Sequence, residues 1–245
     1  MQLPVLADLI KHSRHAAALT GAGISTSAGI PDFRGASGLY ATRRYDPERT
    51  FDIQWFDRDP SVFYAFARDF LNLLSHVEPT ETHRILAQLE RQRLLATVIT
   101  QNIDGLHQKA GSEHVIELHG GFRHAHCRDC GQGYKLEELE QSILAGKIPR
   151  CRSCSGVIKP DIVFYGESVL GMDEAIARIR QASLLLVVGT SLTVYPAAML
   201  PRLCSGTVVC IGYGTRDISV SETEYIEEDI DAVFAELERL LMRIS

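Results

Sequence analysis

The chain has 245 residues, 45% of them hydrophobic, a formal net charge of -6 and a sequence pI near 5.8. That is enough apolar material for one sizeable core, or a main core with a small satellite, and it leaves no general positive field to gather nucleic acid or an acidic membrane surface. No stretch reaches the apolar length that a bilayer span needs, and the opening MQLPVLADLIKHSRH has no basic leader with a small-residue cleavage site, so a cytoplasmic chain is expected.

The first strand is expected at 16–20, running into Gly21-Ala22-Gly23-Ile24-Ser25-Thr26-Ser27-Ala28-Gly29. A strand that ends in small residues can aim backbone N–H groups at a phosphate where a helix begins. Gly21-x-Gly23 fits the opening of a dinucleotide fingerprint, but Thr26 stands where a third glycine would be, so a plain turn is an equal reading of the motif alone. Next, Ile30-Pro31-Asp32-Phe33-Arg34-Gly35 mixes an acid, an aromatic and a base with little apolar periodicity, as a loop over a cofactor would. Asp59-Pro60 reads as an N-cap acid and an N1 proline, followed at helical spacing by Val62, Phe66, Phe70 and Leu73. A second helix is expected after Thr80, with Ile85, Leu86 and Leu89 on one face.

The apolar run 96–100 leads into a second polar cluster, Gln101-Asn102-Ile103-Asp104-Gly105-Leu106-His107, and a shorter strand is expected at 115–118. Residues from about 122 to 160 break the pattern: they are polar, carry cysteines and hold one short helical segment at 135–144. Cys127-x2-Cys130 and Cys151-x2-Cys154 let four thiolates converge on one Zn²⁺ from two tight turns. Four thiolates leave no open coordination position, so the metal is expected to be structural. Basic residues of this ribbon, such as Arg123, Arg128 and Arg152, are interspersed with acids, and no aromatic platform accompanies them, so nucleic acid is not the expected partner. Cys204 and Cys210 sit among small or apolar residues and are assigned no chemistry.

Further strands are expected at 184–188, followed by Gly189-Thr190-Ser191, and at 207–211, followed by Gly212-Tyr213-Gly214. Ile230, Val233, Phe234, Leu237 and Leu241 mark a last helix docked on the sheet. Apolar strands alternating with helices predict an α/β fold with a largely parallel sheet, in which ligands bind at the carboxyl ends of the strands. The polar clusters are therefore expected to meet around one crevice. With no sustained heptad and no second apolar stripe, a monomer is expected.

Taken together, Gly21-Ala-Gly-Ile-Ser25, Pro31-Asp-Phe-Arg-Gly35, Thr100-Gln-Asn-Ile-Asp104, Leu118-His-Gly120, the two cysteine pairs and Gly189-Thr-Ser191 resemble the sirtuins in identity and order. The resemblance implies a Rossmann-like NAD domain formed by 1–35, 79–121 and 160–245. A smaller zinc-binding domain would comprise a helical part, 36–78, and the ribbon, 122–159. It implies an NAD-dependent protein-lysine deacetylase acting on acetyl-lysine-bearing proteins or peptides and releasing nicotinamide and O-acetyl-ADP-ribose. Gly21, Ala22, Gly23, Ser25, Asp32, Phe33, Arg34 and Tyr40 would line one side of the NAD site. Gln101, Asn102, Ile103 and Asp104 would position ribose and nicotinamide, and Gly189, Thr190 and Ser191 the adenosine half. Val163, Phe164, Tyr165, Gly166 and Glu167 match the segment whose backbone holds the substrate as an added strand. His119 matches the base: with an ordinary pKa near 6.5, an imidazole can take a ribose hydroxyl proton near neutral pH.

Two departures matter. The family usually has Asn after the strand at the adenosine ribose, where this chain has Gly212, with Tyr213, Gly214 and Ile230 as the remaining contacts on that side. A family branch that removes succinyl or malonyl groups resembles a Tyr-x-x-Arg pattern; here Tyr64 is followed at that spacing by Ala67, with Arg68 rotated by about 100° on a helix. Neutral acyl groups, acetyl first, are expected. The competing activities are mono-ADP-ribosyl transfer from the same crevice and a non-catalytic binding module that uses the ribbon as its contact surface.

Overall fold

The computed structural model describes residues 1–32, 45–214 and 223–242, so the readings made for Phe33, Arg34 and Tyr40 lie outside it. Six strands, β1 (Ala16–Thr20), β2 (Thr97–Thr100), β3 (Val115–Glu117), β7 (Leu184–Val188), β8 (Thr207–Ile211) and β9 (Thr223–Ile226), form one sheet. Their order is β3-β2-β1-β7-β8-β9, every pair parallel. β1, β2 and β7 are buried along their whole length, which is why they read as unbroken apolar runs. Helices α1 (Leu3–His12), α5 (Glu81–Arg91) and α9 (Ile230–Met242) cover one face, around Leu6, Leu86, Val98 and Phe234. Helix α8 (Met172–Gln181) and a 3-10 segment, Ala197–Leu203, cover the other, around Leu19, Ile99, Ile179 and Leu200. A second 3-10 segment, Ala22–Ala28, follows β1. Thr80 caps α5 by accepting from the His83 backbone, and the His83 ring returns to the Thr80 N–H.

A second sheet joins β4 (Gly120–Cys127) to β5 (Gly133–Lys135) and β6 (Ile158–Ile162), antiparallel on both sides. It shares one core with α3 (Ile53–Arg58), α4 (Ser61–Leu74), α7 (Leu136–Leu144) and the short α6 (Leu106–Lys109), and α2 (Pro47–Thr50) lies against α3 and α4. Seven phenylalanines fill that core, with ring centroids 4.9 Å apart for Phe51 and Phe66 and 5.0 Å for Phe63 and Phe164. Helix α4 begins at Ser61, one residue later than the sequence predicts, because Asp59 caps the turn through Ser61 N–H (3.1 Å) and Oγ. Its inward face is Phe63, Tyr64, Phe66, Ala67, Phe70 and Leu71, so Val62, expected on the stripe, is only half-buried. No described helix is long and apolar enough to cross a membrane.

Candidate active site and metal centre

The parallel order places the carboxyl ends of β1, β2, β7 and β8 side by side, and the chain reverses direction of growth between β1 and β7. There a crevice of about 660 Å³ opens, of the size that small-molecule sites usually have. Its floor is made by two turns pressed together. Gly21 N–H donates to Val188 O (3.1 Å) and Gly23 N–H to Gly189 O (2.8 Å). A Cβ on Gly23 would lie 2.8 Å from Gly189 Cα, so glycine is required by this approach. The phosphate cradle expected of consecutive N–H groups is correspondingly reduced: Ile24 N–H is spent on Gly21 O, which leaves that of Ala22 free at the head of the turn among the described residues. The chain continues as a 3-10 rather than an α-helix, and Thr26 Oγ1 donates back to Gly23 O (3.0 Å), so no third glycine is needed.

Past β2, Gln101 and Asn102 turn into the crevice and hold its two sides together. Gln101 Nε2 donates to Thr190 Oγ1 (3.0 Å), while Asn102 Nδ2 donates to Gly21 O and Ser25 Oγ, both at 3.2 Å. Ser25 Oγ donates in turn to Asp104 Oδ2 (2.7 Å), whose other oxygen accepts Leu106 N–H (2.9 Å). Burial pushes the Asp104 carboxyl above its ordinary pKa, against the pull of these donors. Ser25 and Asp104 thus stand behind Asn102 and do not line the crevice.

His119 lies between β3 and β4 and lines the same space. Its Nδ1 is 2.8 Å from Gln101 O, and because a carbonyl only accepts, the proton sits on Nδ1 and Nε2 is the accepting nitrogen. Burial lowers its pKa, and the bond to Gln101 opposes this in part, so the ring is neutral at neutral pH.

Asp32, Ile103, Thr190, Ser191, Tyr213, Gly214 and Ile230 line the crevice, as do Val163, Phe164, Tyr165, Gly166 and Glu167. Gly212 does not: its backbone has φ +108, and a Cβ there would meet Ile230 Cδ1 at 2.9 Å. A side chain at 212 would thus be strained by its own backbone and would press on the isoleucine packed over this turn. Sequence reasoning missed Phe51, Val169, Val194, Tyr195 and Asp231, which also line the space. Asp231 accepts from Ser27 Oγ (2.5 Å) and Thr82 N–H (2.9 Å), and an acid in the first turn of the last helix was its one visible signal.

The four ribbon cysteines come together with all Sγ atoms within 4.8 Å of one another, Cys127 and Cys154 at 3.4 Å, Cys130 and Cys151 at 3.6 Å. Tetrahedral zinc with bonds near 2.3 Å requires sulfurs about 3.8 Å apart, so this donor set fits the ion. Tyr134 Oη donates to Cys151 Sγ (3.2 Å) and draws that thiol down to about 6, while Cys154, facing Cys127 and Cys130, is pushed up to about 12 despite a stabilising Gly156 N–H. Four thiols that cannot all ionise beside one another are a site for a divalent cation.

Residues 21–196 match the model of the Sir2 family. The chain belongs to the Sir2 family. This Sir2 protein is 42% identical over 219 residues to an NAD-dependent protein deacetylase of Thermotoga maritima, covering 87% of this chain and 88% of that one. It is 42% identical over 232 residues to an NAD-dependent protein deacetylase of Sulfolobus acidocaldarius, covering 94% and 88%. Among solved structures, a Sir2 protein with a p53 peptide and NAD+ superimposes with a TM-score of 0.86 at 38% identity, each chain covered completely. In the Sir2 chain described here, Tyr64 Oη is spent on Ile158 O and Arg68 pairs with Asp69 (3.2 Å), and neither residue lines the crevice. Arg128 is bidentate on Asp57, Arg123 pairs with Glu117 and Arg152 with Glu138, so these ribbon cations are already neutralised.

Proposed function

We propose that the chain is an NAD-dependent protein-lysine deacetylase, with His119 as its base. The observation that carries the reading is the His119–Gln101 hydrogen bond, which leaves a neutral imidazole with an accepting Nε2 in a crevice lined by glycine turns, amides and hydroxyls. The residues that would hold NAD are Gly21, Ala22, Gly23, Asp32, Gln101, Asn102 and Ile103 on one side, with Gly189, Thr190, Ser191, Tyr213, Gly214 and Ile230 on the other. When bound, NAD supplies an ADP-ribosyl group with nicotinamide as its leaving group.

The protein's own part is positional. Asn102, braced by Ser25 and Asp104, orients an amide at the β1 turn. Gln101 spends its backbone carbonyl on fixing the His119 tautomer and its side chain on tying Thr190 across the crevice. His119 accepts a proton at Nε2. Val163 to Glu167 present backbone to an acetylated segment, with Phe164 and Val169 supplying apolar wall that excludes water. Cys127, Cys130, Cys151 and Cys154 would hold one zinc ion with all four coordination positions filled by thiolate, so its contribution would be to the stability of the ribbon.

The chain divides into an NAD-binding unit, 1–35 with 79–121 and 160–245, whose two cores lie against the faces of the parallel sheet, and a smaller unit, 36–78 with 122–159, whose phenylalanine core also takes in Ile30, Ile103, Leu106, Ile162 and Phe164 of the larger one. The acyl group is neutral, acetyl first, because no lysine or arginine lines the crevice among the described residues. The chain acts as a monomer in the cytoplasm, on protein rather than nucleic acid. NAD labelled in its adenosine tests the chemistry: label recovered in soluble O-acetyl-ADP-ribose supports deacetylation, whereas label retained on protein would replace it with ADP-ribosyl transfer.

A further inference from the structure

Lys159, in β6, has 7% of its surface exposed. Its Nζ donates to Ile162 O (2.7 Å), pairs with Glu167 Oε2 (2.8 Å), approaches Pro160 O (3.4 Å) and lies 4.1 Å from the centroid of the Phe164 ring. An ammonium is buried at high cost unless it is paired and hydrogen-bonded, so this position is built around a cation. Each of these partners lies within residues 160–167. None belongs to the parallel sheet or to the cysteine turns, so the charge governs the shape of one local segment.

Glu167 completes that shape. Its Oε2 accepts the Phe164 N–H (2.9 Å) while its own N–H donates to Phe164 O (3.0 Å), closing a turn through Gly166, whose φ is +93. On the outer edge, Tyr165 N–H donates to Phe51 O (2.7 Å) and Tyr165 O accepts Ile53 N–H (3.1 Å). The Val163 carbonyl and the Gly166 N–H make no hydrogen bond among the described residues and are available to an added strand.

We propose that Lys159 is a positioning residue for the protein substrate: its ammonium, clamped on Glu167 and the Ile162 carbonyl, fixes Val163 to Glu167 in the form that pairs with the acetylated segment. It rests on the reading that this segment receives the peptide. Methionine at 159 fills similar space but leaves the Glu167 carboxylate unpaired, and that carboxylate turns to water and releases the Phe164 N–H. Arginine retains a charge able to reach two acceptors.

The test measures anisotropy of a fluorescent acetyl-lysine peptide, steady-state kinetics in each substrate, and thermal melting, for wild type, Lys159→Met, Lys159→Arg and Glu167→Gln. Lys159→Met should raise the peptide Kd and KM by about ten-fold or more, with kcat and the KM for NAD within about three-fold of wild type. Glu167→Gln should do the same, and Lys159→Arg should restore peptide affinity to within about three-fold of wild type. Folded Lys159→Met or Glu167→Gln with wild-type peptide affinity overturns the proposal, as does an equal loss of NAD and peptide affinity, the mark of a merely structural role. If Lys159→Met does not fold, the nearly isosteric Glu167→Gln decides. A wild-type protein that binds no acetylated peptide removes the peptide reading of 163–167 itself, which separates that failure from one confined to Lys159.

Discussion

Replacing Gly23 by alanine puts a methyl group where two turns already touch. Its Cβ would sit 2.8 Å from both Cα and O of Gly189, and backbone atoms cannot rotate away as a side-chain tip would. The turns must part, at an overpacking cost of about 1–3 kcal/mol. The Gly23 N–H to Gly189 O bond, 2.8 Å in the structure, lengthens with them and forfeits about 1 kcal/mol more. The sum is about 2–4 kcal/mol, and at roughly 2–4 °C per kcal/mol for a chain of this size the melting temperature should fall by about 4–16 °C. Because the same turn forms the crevice floor, NAD affinity by calorimetry should weaken by about ten-fold or more. Gly133→Ala is the control: its Cβ meets only the His126 ring, at 3.4 Å, and should change stability by less than about 1 kcal/mol. A Gly23→Ala protein that melts with wild type and binds NAD as tightly would refute the contact between the turns.

The pH profile of kcat/KM should be flat near neutrality, with an acid limb below 6.5, because burial lowers the His119 pKa and protonation at Nε2 removes the base; a limb above 6.5 would contradict this. Stability should also fall in acid. Burial depresses His83 to about 3 and His107 well below its ordinary value, so their contribution is full above 6.5 and lost as pH falls towards the folded values. At pH 5 that loss is about 2 kcal/mol for His83, with a further loss from His107, which urea titrations at pH 7 and 5 would read, and an unchanged midpoint would count against it. Chelation of zinc should unfold the ribbon and abolish turnover without any acid or redox step, with activity returning on added Zn²⁺, and Cys151→Ser should mimic it. Arg68→Ala should leave deacetylation within about two-fold of wild type, since its ion pair with Asp69 is exposed and away from the crevice.

The strands legible in the sequence are those buried on both faces. Leu184–Val188 is apolar throughout because helices cover both sides of β7. The second sheet was not legible: β4 reads GGFRHAHC, and an irregular register between Gly120 and Ala125 breaks the alternation that marks a half-buried strand. Helix α8 escaped because it buries only Ala175 and Ile179 and starts at Gly171 in a left-handed conformation rather than at a capping hydroxyl. In the site, most of the polar clusters that follow apolar strands lie around the crevice, because a parallel sheet collects those ends. Phe51 and Tyr195, which only tertiary packing brings there, carried no such signal. Spacing also could not tell lining residues from those behind them: Asn102 and Asp104 stand two apart, yet only Asn102 meets the crevice, while Asp104 supports it through Ser25.

If this crevice deacetylates lysine at the expense of NAD with His119 as base, one paired measurement will show it. An acetyl-lysine peptide is incubated with wild-type or His119→Ala protein, with and without NAD, and followed by mass spectrometry while NAD binding is measured on the same samples. The predicted result is deacetylated peptide and O-acetyl-ADP-ribose appearing together, only with NAD and only in wild type, while His119→Ala still binds NAD. Undiminished turnover in His119→Ala, or peptide deacetylated without NAD, would contradict it.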